Sequence, residues 1–193
     1  MFILPAVADN CLQYKQNPKI LLNSPDWTKT VVQPTSPMGL WHGNVIATMQ
    51  DNYEILTEVK HVDDGFCVIL ESVNATIGYS DFLVQIDIRH TPDTCPYNAV
   101  LAHEDKHIKT YLSLIDDFGD DLQNSVFIAA DSIMPIWIKT RDDLNRAVDM
   151  MNGELQSHPD LILIKQKIKA AEEIKNKQID RVETGADFEK CFE

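Results

Sequence analysis

His103-Glu-Asp-Lys-His107 puts two imidazoles four positions apart within a stretch of helical periodicity. That spacing constrains the local fold, because an α-helix brings side chains at i and i+4 to one face, one above the other. Held that way, two ring nitrogens suffice to grip a single Zn²⁺. Glu104 between them falls beside the open coordination position, where it can take a proton from a bound water. Five residues thus supply two metal ligands, His103 and His107, and a general base, Glu104.

The flanking residues predict a helix over 94–118. Thr94 is a candidate N-cap, Pro96 suits the first turn and Gly119 suits a stop. Tyr97, Leu101, Ile108, Leu112 and Ile115 form one apolar stripe, with Lys106, Lys109 and Ser113 opposite. On a helical wheel Glu104 abuts that stripe and both histidines lie further round on the same flank, as at a buried side bordering a cleft.

Around this helix the chain changes character along its length. Residues 9–44 carry Pro18, Pro25, Pro34 and Pro37 among Asn, Ser and Thr, and read as an extended, wrapping segment with a strand at 29–33. Trp27 and Trp41 are expected to anchor the core. Residues 45–90 predict three strands, 52–62, 66–77 and 82–89, joined by turns at 63–65 and 78–81. Short turns of this kind imply an antiparallel β-meander. After Gly119 the pattern is helical, with segments near 120–133, 141–155 and 158–182 and a strand-like Ile136-Trp-Ile138. Ile162, Ile164, Ile168, Ala171, Ile174 and Ile179 are the expected apolar positions of the last helix.

A formal net charge of −13 argues against a nucleic-acid partner, since phosphate binding needs clustered Lys and Arg. No stretch is apolar for long enough to span a bilayer. Cys11, Cys67, Cys95 and Cys191 include no CxxC pair, which excludes a zinc ribbon and fits two disulfides in an exported protein, with the pairing open. Residues 1–8 end in Ala6-Val-Ala8, a small-x-small form that reads as the remnant of a secretory signal; the alternative is an apolar N-terminal strand. Together these signals point to a periplasmic or secreted protein.

The run Cys95-Pro-Tyr-Asn-Ala-Val-Leu-Ala-His-Glu-Asp-Lys-His-Ile-Lys-Thr-Tyr111 resembles that of uncharacterised bacterial predicted secreted zinc-dependent proteases, within the zincin-like metallopeptidases. A weaker echo is Gln178-Ile-Asp180 followed by Phe188-Glu-Lys-Cys191. The resemblance implies an α+β, zincin-like fold. In it an antiparallel β-meander (45–90) packs on the active-site helix (94–118), followed by a helical half (120–182), in a single domain over 9–193. It further implies zinc on His103 and His107, Glu104 as catalytic base, and hydrolysis of peptide bonds in a protein or peptide substrate. The chain departs from one subclass, because Thr110 and Ser113 stand where HxxGxxH would require Gly and His. A third ligand is therefore needed from elsewhere, and Glu154, Asp180 and His90 are the candidates. Tyr111 is a candidate donor to the oxyanion. Two other readings remain at this level: a non-catalytic exported binding domain on the same scaffold, and an α+β interaction module whose HExxH is accidental.

Overall fold

The computed structural model describes residues 9–183, 190 and 191. The segment read as a signal remnant, 1–8, lies outside them. The chain is α+β. One helical turn, α1 (Asp9–Leu12), precedes two short strands, β1 (Lys19–Asn23) and β2 (Thr28–Val32). Two long strands follow, β3 (Gly43–Val62) and β4 (Gly65–Ile86), then α2 (Cys95–Asp117) and α3 (Gly119–Ser132). The last elements are β5 (Ile136–Ile138), a 3₁₀ turn (Arg141–Asp143), α4 (Leu144–Gln156) and α5 (Pro159–Glu183).

The sheet differs from the expected antiparallel meander. β4 is its hub, and β1 and β2 both run parallel to it, Lys19–Asn23 against Ser72–Thr76 and Thr28–Val32 against Asp81–Gln85. β3 also pairs with β4, and their two-residue link requires an antiparallel hairpin. The turn expected at 78–81 does not form, and the strands expected at 66–77 and 82–89 are one strand ending at Ile86. Gly78 is the reason the reading failed. Its backbone sits at φ +157°, and a Cβ there would come within 2.8 Å of the Pro25 ring. The glycine therefore marks a close approach of another segment within a strand. Tyr79 and Ser80 beside it are buried, whereas a turn would expose them. The segment 9–44 is likewise more regular than its composition suggests, since it supplies both parallel strands.

The chain divides into two compact units, and β3, β4 and α5 each contribute a part to both. The first comprises Met1–Asn23, Asp51–Thr76 and Gly119–Gln166. Its core joins Cys11, Val62, Cys67 and Ile69, with Trp137 packed alongside. α3 packs on β1 and α4, and α4 packs on β5, which pairs antiparallel with Phe66–Val68. A disulfide links Cys11 to Cys67.

The second unit comprises Ser24–Gln50, Ile77–Phe118 and Lys167–Glu193. Its core is Tyr79, Phe82, Val84 and Ile86 of β4 against Val100, Ile108, Tyr111 and Ile115 of α2. A second disulfide links Cys95, the first residue of α2, to Cys191. These pairings resolve what spacing left open. The two bridges span 56 and 96 residues, and on loop-closure entropy alone they destabilise the unfolded chain by about 4 and about 5 kcal/mol respectively.

Four expected core positions are not core. Trp27 is half exposed, touching Phe82 edge-on, and Trp41 is largely exposed. On α5, Ile164 and Ile168 are buried but Ile162 and Ile174 face outward. In each case tertiary packing selected a different face from the one apolarity alone suggested.

Candidate metal centre

α2 begins where expected, with Thr94 extended before it and proline in the first turn. The Thr94 hydroxyl bonds the Thr91 carbonyl rather than capping the helix. The buried residues are Val100, Glu104, His107, Ile108, Tyr111, Leu114 and Ile115. The buried stripe is thus rotated by about one position from the expected one. Tyr97, Leu101 and Leu112 lie at its margin, and Glu104 and His107 sit within it. A carboxylic acid and an imidazole in a buried stripe need partners, and α5 provides them for His107.

Three positions one helical turn apart on α5, Glu172, Asn176 and Asp180, make successive contacts within the second unit. The Tyr79 hydroxyl donates to Glu172 at 2.7 Å. Asn176 Oδ1 lies 2.9 Å from His107 Nδ1. Asp180 Oδ1 lies 3.2 Å from His107 Nε2 and 3.5 Å from His103 Nε2. Beside this row, Lys175 pairs with Asp117 at the end of α2, and Lys29 of β2 pairs with Asp105. Helical periodicity therefore delivers one carboxylate to two histidines 73 to 77 positions earlier in the chain.

His103, His107 and Asp180 form a group able to hold a metal ion, with all three donor atoms within 4.8 Å of one another. The two Nε2 atoms are 3.2 Å apart. Three donors about 2.0 to 2.1 Å from one tetrahedral ion would be separated by about 3.3 Å. The observed edges match one face of that tetrahedron. The contact of Asn176 Oδ1 with His107 Nδ1 also fits, because a carboxamide oxygen can only accept. His107 therefore carries its proton on Nδ1 and turns the Nε2 lone pair towards the group. The Asn176 carboxamide also hydrogen-bonds the Tyr111 hydroxyl, which fixes it from the other side. Replacing Asn176 with alanine is expected to weaken the group's affinity for a divalent metal ion 10- to 100-fold with the helical content unchanged, measured by competition against a chromophoric chelator.

Of the three candidate third ligands, Asp180 joins the histidines. Glu154 is an exposed residue of α4 in the first unit. His90 is buried beside His42, the two rings meeting at 2.9 Å; burial, then His42, holds its pKa below the usual histidine range. Asp180 is also not one half of a surface pair with Lys177, which reaches Glu173 instead. Tyr111 lies in the core, its ring 4.9 Å from that of Tyr79.

Glu104 is 4 % exposed. Burial first, then the charges of Asp180 and Asp105, push its carboxyl up to about 7 in the metal-free protein. β3 closes over it. A Cβ built on Gly43 would fall 2.5 Å from Glu104 Oε1 and 2.5 Å from Val100 Cγ1. Neither Asn176 nor Gly43 stands out in the sequence. The i, i+4, i+8 series of Glu172, Asn176 and Asp180 was the available signal for the first; for Gly43 no local signal exists.

The raised carboxyl has a consequence for stability. Between pH 4.5, where an ordinary glutamate releases its proton, and about 7, the metal-free folded protein keeps a proton that the unfolded chain has lost. Stability therefore falls as pH rises through that window, by up to about 3 kcal/mol. Thermal unfolding of the metal-free protein should show this slope, and Glu104→Gln should flatten it.

No protein-family model, curated protein or solved structure matches this chain.

Proposed function

We propose that the protein is a zinc-dependent peptidase of zincin type, acting on a protein or peptide substrate outside the cytoplasm. The observation that carries this reading is the convergence of Asp180 on the two histidines of HExxH, with the intervening glutamate buried among them. His103, His107 and Asp180 would hold the zinc. When bound, Zn²⁺ supplies Lewis acidity towards a carbonyl and lowers the pKa of water.

The chain's own groups do the rest. Glu104 takes a proton from the attacking water on a carboxylate oxygen and returns it to the leaving amine. Asn176 keeps the His107 ring in the ligating tautomer. Val100 and Gly43, pressed against Glu104, restrict water around the base and hold its carboxylate in place.

Export is supported by the two disulfides, because such bridges persist in oxidising compartments. No helix among the described residues is long and apolar enough to cross a membrane.

The test is elemental analysis of the purified protein together with hydrolysis of an unfolded protein substrate. About one zinc per chain and chelator-sensitive cleavage restored by zinc are expected. Protein that takes up no stoichiometric metal from micromolar free zinc would overturn the reading.

A further inference from the structure

Outside this centre, the second unit holds another pair of imidazoles on an unusually well-braced platform. His42 Nδ1 and His90 Nε2 face each other at 2.9 Å, with the ring centroids 5.1 Å apart. His90 is buried and His42 is exposed. Neither ring is positioned by its own rotamer alone, because the two backbone segments that carry them are tied together. The Asp87 N–H donates to the His42 carbonyl at 2.9 Å, and the His90 N–H donates to the Asp87 carbonyl at 3.0 Å. Gln33 Nε2 bonds both the Asp87 and His90 carbonyls.

The centre of this platform is Asp87, whose side chain is fully buried. Its carboxylate accepts from the Met38 N–H, the Arg89 N–H and the Arg89 guanidinium. Arg89 in turn donates to the carbonyls of Gly39 and Trp41. An ion pair between the buried Asp87 carboxylate and the half-exposed Arg89 thus clamps the loop bearing His42 to the turn bearing His90. Such bracing fixes both rings before any ligand arrives, which lowers the entropic cost of binding one.

Two imidazolium ions would repel strongly at 2.9 Å, so the facing nitrogens share a single proton. A metal ion can replace that proton and bind both lone pairs. Two nitrogens about 2.0 Å from one ion and 2.9 Å from each other subtend about 90° at it. A bite of that size is within reach of a divalent transition-metal ion. We propose that His42 and His90 form a second metal site, distinct from the zinc centre, for a divalent ion that favours imidazole, such as Cu²⁺ or Ni²⁺. Cu²⁺ is the stronger binder of the two by the usual order of divalent affinities.

The test uses the full-length protein given one equivalent of Zn²⁺ and then titrated with Cu²⁺. One further equivalent should bind, with an electron paramagnetic resonance spectrum of tetragonal form coupled to two ring nitrogens. His42→Gln, at an exposed position, should weaken this uptake at least 10-fold with zinc content and circular dichroism unchanged, and His90→Gln should do the same. A His103→Ala/His107→Ala protein should keep the signal, so the result stands whether or not the first centre holds zinc. The proposal is overturned if no Cu²⁺ binds, or if both glutamine variants bind it as wild type does, which would mark adventitious uptake at histidines such as His61 or His158. Should His90→Gln fail to fold, His42→Gln alone decides.

Discussion

Glu104→Gln is expected to retain about one zinc per chain while hydrolysis falls by about 10²- to 10⁴-fold. The amide keeps the volume of the side chain and its place in the buried stripe of α2. It cannot accept the proton of the attacking water, so the loss should appear in kcat and leave zinc affinity largely unchanged. A neutral side chain also removes the cost of burying charge beside Asp180 and Asp105. The variant should therefore unfold at a temperature at least as high as wild type near neutral pH. Activity that survives in Glu104→Gln would mean that another group is the base. Loss of zinc along with activity would mean that the carboxylate holds the centre together instead of acting in chemistry.

Gly43→Ala is expected to cost about 10²-fold in turnover, again with zinc retained. The added methyl would lie 2.5 Å from a carboxylate oxygen of Glu104, far inside contact distance. Either the base or the first residue of β3 must shift, and a displacement near 1 Å in a catalytic group is enough for a loss of that size. Gly43 has no left-handed backbone, so close approach is the sole reason for glycine there. The clean test is a double-mutant cycle. In a Glu104→Gln background, Gly43→Ala should have little further effect on turnover, because its influence runs through the base it displaces. Equal losses in both backgrounds would show that the glycine acts on the strand and not on Glu104.

The candidate site was legible in the sequence to the extent that its parts are local. His103, Glu104 and His107 follow from a spacing of four in a helix, which is decided by backbone geometry within one turn. Asp180 was one of three candidates, and no property of its own neighbourhood separated it from Glu154 or His90. What separates them is the docking of α5 on α2 through Asn176 and Lys175 and on β4 through Glu172. Asn176 and Gly43 act only through residues distant in sequence; the row Glu172, Asn176, Asp180 was the one local signal for the first, and the second had none.

The sheet follows the same division. β-branched runs in 52–62 and 66–77 identified strands, because alternation and composition are properties of the strand itself. Parallel pairing of β1 and β2 with β4 joins residues about fifty positions apart, and no local pattern encodes a partner at that distance. Gly78 shows how the error arose: turn chemistry and close-approach chemistry both select glycine, and only the presence of Pro25 above it distinguishes them.

By itself, the sequence determined the helix that carries His103, Glu104 and His107 on one flank and the helical character after Gly119. Each rests on periodicity, spacing or composition, which short segments carry whole. The tertiary structure alone decided the rotated buried stripe of α2, the choice of Asp180, the closure of β3 over Glu104, the parallel strands and the bonding of Cys95 to Cys191. Those depend on which surfaces meet, and burial energies are settled between segments rather than within them.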